Sequence, residues 1–201
     1  MPSWDEDSPR LRLNLDQVLD ELESGAQRRE VPTVDSAKRW QRLMMKSLAA
    51  PNARFVGAFR GQPGLEKIEV KVGAHSGVKA RKVAAELVSF ERKLHALIRE
   101  MDAMLPAGEE PDADRLAAVL DFCAWVHAEW IRIHPFANGN GRTARLWANC
   151  IAMRYRLPPF IRLRPRPNSG YAEAGAKAMQ GDWKPTAAVF RRLLDALLDE
   201  M

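Results

Sequence analysis

Cysteine is nearly absent. Two thiols in 201 residues, Cys123 and Cys150, make no Cys-x-x-Cys pair and are too few for a disulfide framework. They read as buried, reduced side chains. Long apolar runs are missing as well: charge interrupts every stretch well before the roughly 18 residues that a membrane span needs. The opening MPSWDEDSPR is acidic and has no basic end followed by an apolar core, so no secretory leader is read there. A cytoplasmic location without a membrane partner is the expectation. Apolar content is not scarce. At 46% of 201 residues it suits one domain with a real core and excludes wholesale disorder.

Negative charge is missing from one region. Between Ile131 and Pro167 stand eight arginines (132, 142, 145, 154, 156, 162, 164 and 166) and no Asp, Glu or Lys, in a chain whose net charge is +5. The planar guanidinium suits phosphate oxygens, so the stretch reads as facing an anion. From Arg154 onward, solvated side chains in an arginine-rich composition are an equally good account.

What is present is mostly helical. Residues 14–24 put Leu15, Val18, Leu19 and Leu22 on one face before Gly25, which is expected to end that helix. Asp35 is placed as the cap of a second helix carrying Trp40, Leu43, Met44 and Leu48 up to Pro51. Residues 65–73 alternate in the manner of a strand, and the glycines around them point to a short hairpin. Helices are then expected over 79–104, 112–133, 142–156, 169–180 and 185–199. No repeat or linker is visible. Residues 1–34 read as an extension with a short helix, and 35–201 as one domain, with the hairpin at 65–77.

The chemistry concentrates in 134–145, His-Pro-Phe-Ala-Asn-Gly-Asn-Gly-Arg-Thr-Ala-Arg. Asn138-Gly139-Asn140-Gly141 tolerates positive φ and can turn successive backbone N–H groups inward. The turn, within a loop of 134–142, leads into a helix N-terminus, where a phosphate is the natural occupant. Arg142 and Arg145 share the first turn of that helix. His134, at the far end of the loop, suits a general base. Phe136 is read as an anchor pointing into the core. His75, His95 and His127 lack such neighbours and read as packed or solvated histidines.

These twelve residues resemble the Fic (filamentation induced by cAMP) motif, HxFx[D/E]GNGRxxR, at every fixed position except 138. Tyr171 and Gly181-Asp182 loosely resemble the segment that follows the motif. The chain is similar to short single-domain bacterial members, which implies a mostly α fold, a Fic-type helical bundle with a small β-hairpin flap. The resemblance implies a protein adenylyltransferase that moves AMP from ATP to a Ser, Thr or Tyr hydroxyl of a target protein. His134 would be the base. Asn138, Gly139, Asn140, Gly141, Arg142 and Arg145 would bind the nucleotide, and flap residues Val70, Lys71, Val72 and Gly73 the target by strand addition. Lys71 could equally be a solvated hairpin charge.

Position 138 departs from the pattern. The family's acid there binds the Mg²⁺ that accompanies ATP, whereas an asparagine oxygen coordinates without charge. The alternatives are therefore a weakly active or non-catalytic nucleotide-binding module and, less favoured, a phosphotransferase or phosphocholine transferase. Inhibitory [S/T]xxxE[G/N] helices have only near misses here, at Ser47–Asn52 and Ser169–Ala174, both read as coincidence. Arg145 is then expected to lack an intramolecular partner, leaving the protein active or held by a small antitoxin-like chain. A nucleic-acid partner is the weakest reading, because Tyr155, Phe160 and Tyr171 hardly form a stacking platform.

Overall fold

Apolar spacing places the C-terminal helices closely. The computed structural model describes residues 1–168 and 170–200. Its helices are α1 (Pro9–Gln27), α2 (Val34–Met44), α3 (Ala80–Met104), α4 (Ala113–Ile133), α5 (Asn140–Arg154), α6 (Tyr171–Ala178) and α7 (Lys184–Asp199). Strands β1 (Lys71–Val72) and β2 (His75–Ser76) pair antiparallel between α2 and α3, with Lys71 opposite Ser76 and Val72 opposite His75.

Helix α5 is buried nearly all round, which makes it the central element. It lies between α4 and α1; α3, α6 and α7 pack on α4, while α2 touches both α1 and α5. Leu11, Leu15, Val18 and Leu22 of α1 belong to the same buried cluster as Trp147 of α5. Around the middle of α5 is an aromatic cluster. The ring of Trp147 lies 4.9 Å from Trp40, 5.4 Å from Phe90 and 5.5 Å from Trp130, and Phe136 lies 5.9 Å from Trp130. Phe136 is the anchor expected, fully buried and 4.8 Å from Phe59. Cys123 on α4 and Cys150 on α5 are buried, and desolvation raises both thiol pKa values, Cys150 to about 12.

Several boundaries differ from expectation. Helix α1 begins at Pro9, because the Ser8 hydroxyl accepts from Leu11 N–H at 3.2 Å, and it runs through Gly25 to Gln27. A glycine near a helix end costs only about 1 kcal/mol, too little to stop it. Thr33, not Asp35, caps α2, in a reciprocal pair with Ser36. That helix stops at Met44, where the Asn14 amide takes the carbonyls of Met44 and Lys46 at 3.1 and 2.7 Å. The 65–73 strand shrinks to 71–72, since Gly61 N–H bonds Leu65 O and Gly64 turns the chain at φ +82°. The hairpin itself is present around Gly73, which has φ +58°. Ser169 of the second near-miss motif lies outside the described residues.

Candidate active site

The loop between α4 and α5 is closed by its own side chains. Asn140 Oδ1 accepts from Phe136 N–H, and its Nδ2 donates to Phe136 O, both at 2.8 Å. The Asn140 side chain therefore staples the loop, leaving only its backbone N–H for a ligand. Gly139 is the N-cap of α5 at φ +87°, and a Cβ there would stand 2.9 Å from Met44 Cε. No side chain caps α5, so its first N–H groups are open to an anion.

His134 caps the C-terminus of α4 in the left-handed region, at φ 53° and ψ 55°. Its ring is fixed by Nδ1 against Ile131 O at 3.0 Å. With Nδ1 as the donor, Nε2 carries the lone pair. Burial pulls the imidazole pKa below the ordinary histidine value; the bond to Ile131 opposes this and the charge of Arg60 adds to it. At neutral pH His134 is thus the free base.

Arg60 is a residue that sequence reasoning missed. Its side chain is fully buried, and the guanidinium donates to the carbonyls of His134 (2.8 Å), Ile133 (3.1 Å), Val78 (2.8 Å) and Ile68 (3.2 Å), with Glu69 at 3.5 Å. Glu69 in turn accepts from Ala80 N–H at the start of α3. One side chain therefore ties the root of the hairpin to the end of α4.

A cavity of about 860 Å³ gathers the expected residues: His134, the 138–142 turn, Arg145 and hairpin residues Val70, Lys71, Val72 and Gly73 all line it. Asp5, His127, Arg164, Arg166 and Tyr171 line it too. His127 lies near the C-terminal end of α4 and is buried, as the packed reading of it expects. Its Nε2 lies 2.7 Å from Tyr171 Oη, and burial, with the charge of Arg145, lowers its pKa to about 3.

The two motif arginines are nearly buried, and neither is free. Arg145 donates to Tyr171 Oη at 3.2 Å and Leu163 O at 3.0 Å, so the expectation that it lacks an intramolecular partner is corrected; both partners are neutral. Arg142 donates to Trp4 O at 2.9 Å and Asp5 Oδ1 at 3.4 Å. Burial, and then the charge of Arg164, lowers its pKa to about 10, still protonated at neutral pH. Asn138 Nδ2 donates to the same Asp5 oxygen at 2.8 Å. Nothing in the local sequence announces Asp5, which reaches the loop from the other end of the chain.

Nor do all eight arginines face the cavity. Arg132 pairs with Glu86 and Glu129, Arg154 with Asp102, and Arg156, beyond the end of α5, with Glu110; none of the three lines the cavity. Tyr155, Phe160 and Tyr171 are buried.

The model of the Fic/DOC family matches residues 32–152, well over half of the chain. The chain belongs to the Fic/DOC family. Among curated Fic relatives, a protein adenylyltransferase Fic from Nematostella vectensis is 39% identical over 80 residues, covering 40% of this chain and 18% of that protein. The Drosophila melanogaster protein of the same name is 34% identical over 80 residues, covering 40% and 16%. This Fic chain thus spans less than a fifth of each. A Fic domain containing signaling protein from Bacteroides thetaiotaomicron aligns over 92% of this chain and 70% of its own, with a TM-score of 0.60. At 18% identity that likeness speaks for the Fic fold alone. Among the described residues, no helix is long and apolar enough to cross a membrane.

Proposed function

We propose that the protein is an adenylyltransferase that moves AMP from ATP to a side-chain hydroxyl of a target protein. The observation that carries this reading is His134: a neutral imidazole pinned through Nδ1, with Nε2 available, on the wall of a cavity that also holds an open helix N-terminus and two buried arginines. The nucleotide phosphates lie along the first N–H groups of α5, with the outer phosphates at Arg142 and Arg145. The target's hydroxyl oxygen attacks the α-phosphorus as its proton passes to His134 Nε2; the new P–O bond forms and the bond to pyrophosphate breaks. Rooted by Arg60 through Ile68, Glu69 and Val78, hairpin residues 70–73 line the same cavity with exposed strand residues Lys71 and Val72. An extended target segment adds to the edge of that strand, its hydroxyl directed at His134.

Asn138 offers an oxygen of the kind Mg²⁺ accepts, so the donor set fits a nucleotide-borne cation in chemistry though not in charge. Bound there, the cation would neutralise phosphate charge. A nucleotide-binding module without efficient chemistry is the second reading, favoured by the engagement of Arg142 with Trp4 and Asp5. Intact-mass spectrometry of the protein and of a lysate incubated with ATP and Mg²⁺ separates the two. An AMP-sized adduct that disappears with His134→Ala supports transfer; tight ATP binding without any adduct supports the module. A small antitoxin-like inhibitor remains a proposed partner, read out as a co-purifying chain that suppresses the adduct.

A further inference from the structure

We propose that Asp5 supplies the carboxylate that position 138 lacks, making residues 2–5, an N-terminal strap ahead of α1, part of a divalent-cation site. This rests on the nucleotide reading above. The strap is docked, not merely nearby. Ala49 N–H donates to Pro2 O at 2.8 Å and Trp4 N–H to Ala49 O at 3.2 Å, while the Trp4 indole stacks on Phe55 with ring centres 5.9 Å apart. Arg164 further holds the strap through Asp5 O at 2.7 Å.

So placed, Asp5 Oδ1 receives both Asn138 Nδ2 and Arg142 Nη2, whereas Oδ2 receives neither. Had 138 been Asp or Glu, two carboxylates would stand face to face with like charge. The asparagine permits the acid to arrive from residue 5, and the two positions form a matched pair. The cavity also awaits an anion: Arg145 is only 5% exposed, and its Nε has no hydrogen-bond partner. Phosphate entering beside Asp5 is repelled unless a cation bridges the two anions. Asp5 Oδ2, the Asn138 amide oxygen once its side chain turns from Gly139 N–H, whose hydrogen bond it now accepts, and phosphate oxygens are hard donors of the class that Mg²⁺ takes. The expected ligand is a nucleoside triphosphate with its divalent cation, and binding depends on that cation.

Calorimetric titration of the full chain with ATP, in EDTA and in Mg²⁺, tests this. The wild type is expected to gain affinity with Mg²⁺. Asp5→Asn is expected to lose about tenfold of that gain, with affinity in EDTA equal or higher, and the double variant Asp5→Asn/Asn138→Asp to recover it. If Asp5→Asn keeps the full Mg²⁺ gain, whether or not its affinity in EDTA rises, Asp5 is a counter-ion covering the cradle and the assignment is overturned. Absence of ATP binding by the wild type in both conditions overturns the nucleotide reading itself, and this site with it.

Discussion

The floor and the rim of the cavity are built differently. The floor, from His127 near the end of α4 through His134 to Arg145, is held by buried groups: the Asn140 staple, the aromatic cluster, and carbonyls that close on Arg60 and Arg145. The rim consists of a hairpin of two two-residue strands, mostly exposed, and a strap whose Asp5 is largely open to solvent. Groups that must meet a phosphate at fixed geometry belong on the floor, because packing holds them to a fraction of an ångström. Groups proposed to read a target or a cation sit where a few hydrogen bonds hold the chain and rearrangement is cheap.

Four experiments press on that division. On the floor, His134→Ala should lower adenylyl transfer by about two to four orders of magnitude without moving the melting temperature appreciably, measured by adduct mass and calorimetry. At the joint between floor and rim, Arg60→Met leaves several buried carbonyls without a donor and should cost about 3 kcal/mol or more in chemical denaturation. Arg60→Lys, which keeps charge but not the fork, should recover only part of this.

Acid acts on the floor as well. The pKa of His127 lies at about 3 in the fold against 6.5 unperturbed, so the unfolded chain binds the proton first. The stability associated with the neutral ring is complete above pH 6.5 and is lost as pH falls from there towards 3, at up to about 1.4 kcal/mol per pH unit. Melting temperatures across that window should fall less steeply for His127→Gln than for the wild type. The rim should respond least. Val72→Asp, at an exposed strand position, should change stability by less than about 0.5 kcal/mol while raising the KM for a protein target and leaving ATP affinity unchanged.

The sequence made the floor legible and the rim only partly so. Helices α3 to α7 follow from apolar periodicity and from Pro158, and the motif loop from twelve adjacent residues. The hairpin was legible as such, but its register was not: 65–73 alternates, yet the glycine turn at 61–64 makes Leu65 part of a bend. His127 reads from the sequence as a packed or solvated histidine, and it is packed, buried with Nε2 against Tyr171 Oη; its place on the cavity wall depends on the fold. Asp5 and Arg60 were beyond local reading altogether. Their partners lie 133 and 74 residues away, and only the packed fold brings them together.

The enclosure of α5 has a consequence for anyone who would trim this protein. The stretch matched by the family model, 32–152, contains the motif but omits α1, α6 and α7, and ends two residues before α5 does. A fragment cut to those limits would strip the cover from one side of α5 and remove Tyr171, which steadies Arg145. The recognisable kernel and the smallest autonomous folding unit are therefore different objects. The kernel alone would present a bare apolar flank, sticky to its own copies, in place of a working pocket.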